Sequence, residues 1–310
     1  MRNLGTALLT AGGLALAALV LGGNPVQAAK TTLTLGVVLE PPHLDPTGGA
    51  AAAIDEVVYA NVFEGLTRIG SDGEVQPALA KSWTVSDDGL TYTFSLQDKV
   101  RFHDGTDFDS ADVIYTLNRA MAEDSTNAQK GLFAAIKSVT APDPKTVAIT
   151  LKNPAGSLLF NLGWGDAVMV AEESAAGNKS KPIGTGPFKF VNWAKGNKIV
   201  LEKNPDYWGT PAKLDQAIFK FIPDPAAAAS AMMAGDVDGF PNFPAPETLT
   251  QFEADPRFKV MRGSTEGETI LAMNNGKPPF DDIRVRRAVN YAIDRQAIID
   301  GAMFGNGTPI

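Results

Sequence analysis

The stretch KPIGTGPFKFVNWAKGNKIVLEKNPDYWG, residues 181–209, restricts the fold more than any other part of the chain. Gly184, Gly186 and Pro187 read as a tight turn with unusual backbone angles, which small, permissive residues supply. Two runs of strand-forming residues follow, 188–193 and 198–202. Joined across Gly196-Asn197, they predict a β-hairpin. Asn204-Pro205 breaks the second strand and leads to the aromatic pair Tyr207-Trp208. The unit is a glycine-hinged approach to a hairpin with an aromatic plug behind it, and by itself it names no function.

Composition sets the class. The 310 residues are 44% hydrophobic with no long low-complexity tract, ample for a sizeable core in one large or two medium domains. A formal net charge of −8 argues against a nucleic-acid partner. Arg284, Arg286, Arg287 and Arg295 fit a solvated helix face better than a phosphate site. The absence of cysteine excludes a disulfide scaffold, cysteine-based zinc or redox sites, and a lipidated N-terminal cysteine. Residues 1–28 have a secretory-signal layout: Arg2, an apolar run over 7–21, and a small-residue cleavage site at Val26-Gln27-Ala28. The apolar run falls short of the roughly 18 residues of a membrane span. The mature chain is expected to start after Ala28 or Ala29 and to be soluble and exported, most simply to a periplasm, without a lipid anchor.

Hydrophobic periodicity then orders the elements. Residues 31–40 read as a partly buried strand stopped by Pro41-Pro42. A loop of residues 43–49 precedes a helix over 50–66 with Ile54, Val57, Val58, Val62 and Leu66 inward. Residues 83–86 and 90–96 form a hairpin across Asp87-Asp88-Gly89, with Leu90, Tyr92, Phe94 and Leu96 on one face. Asp109 or Ser110 caps a helix carrying Val113, Ile114, Leu117 and Met121. Pro142-Asp143-Pro144 separates that helix from a strand at 146–152. Residues 68–182 thus read as an α+β subdomain inserted into a first lobe. After the Gly184–Gly186 turn the chain returns to that lobe with a strand at 214–222. A helix follows from Asp224-Pro225 to Gly235, then a short strand at 237–240. Residues 268–274 read as a further strand. Two helices end the chain, 284–292 and 296–303, the second capped by Asp294.

Residues that carry chemistry are few. His43 and His103 lie in different predicted lobes, each in a proline- or glycine-rich turn, and no further ligands are spaced to complete a metal site. There is no G-x-S-x-G elbow and no P-loop. Asp87-Asp88 and Asp281-Asp282 are sequence neighbours that do not face each other as an acid–base pair must. Trp164 and Trp193 have the surface to stack on a ligand, although packing is the commoner fate of tryptophan. Neither a catalytic residue, a cofactor nor a metal site is expected.

The 181–209 stretch resembles the signature segment of the bacterial family 5 solute-binding proteins, which serve ABC importers of peptides, nickel and related solutes. The likeness continues in SWTVSDDGLTYTFSLQDKVRFHDGTDFDSADVIYTLNRA (82–120), FKFIPDPAAAASAMMAGDVDGF (219–240) and DDIRVRRAVNYAIDRQAIIDGAMFG (281–305). The resemblance implies a mixed α/β, bilobed fold of the type II periplasmic-binding-protein kind with an extra inserted α+β subdomain. Its parts are a signal peptide at 1–28, a discontinuous first lobe at 29–67 and 183–272, the insert at 68–182, and the start of a second lobe at 273–310. Relatives are longer, so the chain is expected to be an N-terminal fragment with a truncated second lobe.

The resemblance also implies binding without catalysis. Two lobes close over a di- or oligopeptide, and a monomeric carrier presents it to an inner-membrane ABC permease. The alternatives are a nickel chelate or another small solute, or a secreted hydrolase. By position, Thr47, Gly48 and Gly49 would line the cleft, joined by Asn242 and Phe243, with packing the competing role of Phe243. Ala272 and Asn274 would belong to a hinge strand at 272–275, with Gly184 and Gly186 as the turn into the hairpin. The partners of a peptide's charged ends are expected beyond residue 310.

Overall fold

The computed structural model describes residues 30–263, 267 and 269–310; the expected signal peptide lies outside them. In chain order the elements are β1 (Thr32–Val37), α1 (Ala52–Val58), β2 (Thr67–Ile69), β3 (Val75–Pro77), β4 (Ala80–Val85), β5 (Thr91–Leu96), α2 (Ser110–Met121), β6 (Ile136–Asp143) and β7 (Thr146–Leu151). Then come α3 (Leu158–Asn161), α4 (Glu172–Ala175), β8 (Phe188–Ala194), β9 (Lys198–Lys203), β10 (Gln216–Phe221), α5 (Pro225–Ala234), α6 (Leu249–Ala254), α7 (Ile283–Ala292) and α8 (Arg295–Ala302). No helix of the described residues is long and apolar enough to cross a membrane.

Two four-stranded sheets organise these elements. One has the order β1-β10-β9-β8, with β1 parallel to β10 and the rest antiparallel. The other, β4-β5-β7-β6, is antiparallel throughout and lies in sequence between β1 and β8. Each sheet backs its own apolar cluster. Val37, Ile54, Phe63, Ile199, Leu201 and Phe219 pack on the first. Phe94, Leu96, Phe108, Leu117, Val147 and Ile149 pack on the second. In β5 the alternation predicted from sequence is kept, with Tyr92, Phe94 and Leu96 buried. Asp109 and Asp112 close a reciprocal capping box on α2. Asp224 caps α5, Pro225 occupies its first turn, and Gly235 ends it at φ 78°. Asp294 caps α8.

The predicted hairpin is β8–β9, and the aromatic plug behind it closes on a carboxylate. Glu64 accepts from Thr185 Oγ1 (2.8 Å), Tyr207 Oη (2.7 Å) and Trp208 Nε1 (2.9 Å). Burial pushes its carboxyl up, and these three hydrogen bonds offset part of the shift. Here Gly184 and Gly186 differ from the sequence expectation. Neither adopts positive φ. They are glycine because the chain passes too close to a neighbour: a Cβ on Gly184 would stand 2.0 Å from the Val62 carbonyl oxygen, and one on Gly186 2.3 Å from that of Asn61. His103 locks the same turn. Its Nε2 bonds to the Gly186 carbonyl at 2.9 Å, and its backbone N–H donates to the Gly184 carbonyl at 2.9 Å.

Other expectations are corrected. The helix expected over 50–66 stops at Val58, although Ile54, Val57, Val58, Val62 and Leu66 are all buried. The carbonyls of Asn61 and Val62 instead accept from Phe188 and Gly186 N–H, both at 2.9 Å, so the hairpin's approach takes the place of a continued helix. Pro142-Asp143-Pro144 does stand between α2 and β7, but its first two residues end β6, a strand not expected from sequence, which lies at the sheet edge where a missing N–H is tolerated. The strand expected at 237–240 is reduced to a single bridge between Gly239 and Leu35. Residues 269–274 form no strand: Ile270 and Leu271 are exposed, and no described segment pairs with them.

Candidate functional site

The loop after β1 is held by a closed ring of polar contacts. Asp45, fully buried, accepts from Thr47 N (3.0 Å) and Thr47 Oγ1 (2.6 Å) through one carboxylate oxygen. The other oxygen pairs with Arg119 Nη2 of α2 at 3.1 Å. Arg119 Nη1 in turn donates to Thr47 Oγ1 at 2.6 Å. A residue of the second sheet's helix thereby fixes a loop that leaves the first sheet. Beside it, His43 approaches Gly49 so closely that a Cβ there would lie 2.7 Å from Nε2. Burial and then the charge of Lys179 hold the His43 imidazole below its usual range.

The far side of this loop opens into a recess of about 160 Å³. Pro46, Gly49, Ala51 and Ile54 form its apolar part, and Asp55, Gln129, Trp164 and Asp166 its polar and aromatic part. Asp55 rides on α1, and its Oδ1 is buried without a donor among the described residues. Burial, followed by the charge of Asp166, pushes the Asp55 carboxyl up to about 6. Burial also raises Asp166. The Asp166 backbone carbonyl accepts from Asn127 Nδ2 at 2.8 Å, which ties down that wall. Trp164 is 40% exposed, with Phe160 packed edge-on against it.

Of the residues expected at a cleft, Gly49 lines the recess. Thr47 stands behind it with its hydroxyl engaged by Asp45 and Arg119, so it shapes the loop rather than facing solvent. Gly48 continues the same turn. Asn242 comes to the neighbouring turn of α1, where its Nδ2 donates to Glu56 Oε1 at 3.2 Å. Phe243 is a packing residue, edge-to-face with Phe240 (5.4 Å) and Phe252 (5.3 Å). Gly184, Gly186, Ala272 and Asn274 do not line the recess. Ala272 is exposed, and Asn274 closes a turn by accepting from Gly276 N at 3.0 Å.

The sequence reading passed over Asp45, Asp55, Arg119, Gln129 and Asp166. Asp55 had a usable signal, since an acid between Ile54 and Val58 sits at the edge of an inward helical stripe. The others carry none, because loops and distant segments bring them together. Among the described residues, no group of three or more His, Asp or Glu side chains converges as a metal site would require. The arrangement suits recognition: fixed walls, one exposed aromatic ring and two carboxylates.

The model of the family described as bacterial extracellular solute-binding proteins, family 5 Middle, matches residues 74–310. The glutathione-binding protein GsiB of Pectobacterium atrosepticum is 33% identical over 294 residues, covering 92% of this chain and 56% of that protein. NikZ of Campylobacter jejuni, solved in complex with Ni(L-His), superposes with a TM-score of 0.79 at 30% identity, over 89% of this chain and 56% of NikZ. The oligopeptide-binding protein AppA of Bacillus subtilis, solved with a nonapeptide, also gives 0.79, at 28% identity, over 90% of this chain and 57% of AppA. The fold is therefore the mixed α/β, type II-like fold of periplasmic binding proteins, and the chain spans about half the length of the relatives it matches. The chain belongs to the bacterial extracellular solute-binding proteins of family 5.

Proposed function

We propose that the chain belongs to a periplasmic, monomeric carrier that takes di- or oligopeptides in an interlobe cleft and hands them to an ABC permease of the inner membrane. The family match over residues 74–310 carries this reading. The superposition on AppA, solved with a nonapeptide, supports peptides as the solute class. In this reading residues 29–67 and 183–272 make the first lobe, 68–182 an inserted subdomain, and 273–310 the beginning of the second lobe. The separate sheet and core of β4–β7 support the insertion. Gly49 and the loop from Asp45 border the cleft, and Asn242 buttresses α1 behind it. Closure is stabilised by contacts made only in the closed state, so no bond in the solute needs to break.

A second reading, a nickel chelate as solute, has equal support from the superposition on NikZ in complex with Ni(L-His), at the same TM-score. Calorimetry on the intact protein with a peptide library and a nickel–histidine chelate separates the two. Peptide binding with every peptide recovered uncleaved is the expected result. Binding of the chelate alone would replace the peptide reading, and cleavage of bound peptides would replace the carrier by a hydrolase.

A further inference from the structure

The recess beside the loop from Asp45 is lined by two carboxylates and, among the described residues, by no cationic side chain. Its lining includes Asp55 and Asp166 but no Lys, Arg or His. Asp166 is only 8% exposed, and among the described residues no other residue donates to its carboxylate. Asp55 Oδ1 is buried with no donor among the described residues. A sequestered carboxylate without a counter-charge is unfavourable, and low-dielectric walls concentrate the field of two of them. Trp164, 40% exposed, also lines the recess, and its indole is the ring type on which organic cations stack best. A space of about 160 Å³ admits a charged head group. Two carboxylates and the Gln129 amide fall short of the six to eight oxygens that calcium takes, and among the described residues no third Asp, Glu or His joins the pair.

We propose that this recess is the subsite for a cationic group of the solute, an alkylammonium or guanidinium, seated between the Asp55–Asp166 pair and Trp164. The proposal rests on the solute-carrier reading above and narrows its solute class.

The test uses the intact protein and matched probes: Ala-Lys-Ala, its acetyl-lysine counterpart, the N-acetylated form of each, glutathione, and the nickel–histidine chelate. Calorimetry should give at least tenfold tighter binding to a cationic member than to its neutral counterpart. The N-acetylated arms tell a side-chain ammonium from a terminal one. Asp166→Asn should bring the preference below twofold, with its melting curve showing that it is folded. Equal affinity for cationic and neutral members overturns the proposal on wild-type protein alone, whatever the variant does. An unchanged preference in folded Asp166→Asn also overturns it. If only neutral or anionic probes bind, the subsite falls and the carrier reading stands; if no probe binds, both fall. Binding of calcium or nickel ions alone, lost in Asp166→Asn, would assign the recess to a metal instead.

Discussion

Replacing Gly186 by alanine tests the reason given for the turn before the hairpin. The new Cβ would stand 2.3 Å from the Asn61 carbonyl oxygen and 2.8 Å from its carbon, against an ordinary contact of 3.4 Å or more. One segment must retreat by about 1 Å, and neither is a flexible side-chain tip. Such overpacking costs about 1–3 kcal/mol. The Asn61 oxygen also accepts from Phe188 N at 2.9 Å, and Gly186 N donates to Val62 O at 2.9 Å. Weakening both bonds adds roughly 1 kcal/mol each. The total is about 4 kcal/mol, which for a domain of this size lowers the melting temperature by roughly 10 °C. Gly196→Ala is the control. Gly196 has φ 72° and open space around it, so alanine there meets only the left-handed penalty of about 1 kcal/mol. Parallel calorimetric melts read both variants. A Gly186→Ala melt within 3 °C of wild type, or no lower than that of Gly196→Ala, refutes the close-approach argument.

Three further outcomes are expected. Burial is the main cause holding His103 down at about 4, against 6.5 when unfolded, so the native state favours the neutral ring. The stability this gives is complete above pH 6.5 and is lost as pH falls through 4, about 3 kcal/mol in all; an imidazole NMR titration with its midpoint at 6 or above would contradict it. Arg119→Ala leaves the buried Asp45 carboxylate with only Thr47 as partner and should cost about 2 kcal/mol in urea unfolding, less than a fully sealed pair because Arg119 is part-exposed; an unchanged midpoint would show that the ring does not hold the loop. Glu64→Ala strands three donors, on Thr185, Tyr207 and Trp208, and should destabilise by about 3 kcal/mol or more, whereas Glu64→Gln keeps an acceptor and should cost about 1 kcal/mol. Equal losses in the two variants, read by tryptophan fluorescence during unfolding, would remove the carboxylate from the account of the plug.

What the amino-acid sequence settled alone is local or repeated over many residues. Asp224 and Asp294 cap helices because a short acceptor reaches free N–H groups three residues ahead, while for α2 the sequence left Asp109 and Ser110 as alternatives and the structure chose Asp109. The hairpin β8–β9 was legible because its alternation and turn residues lie within about 16 positions. The family was legible from blocks spread over most of the chain. Tertiary structure decided the rest. Helix α1 ends at Val58 although its apolar period continues, because Gly186 before β8 and Phe188 at its start, more than 120 residues later, take the carbonyls of Val62 and Asn61. Asp45 and Arg119 are 74 residues apart, and Glu64 and Tyr207 are 143 apart. Propensity and capping act over a few residues, so no local pattern announces such pairs. The meeting of Asp55 with Asp166 has the same origin: the two acids become one site only when α1 and the segment after α3 pack against the loop from Asp45.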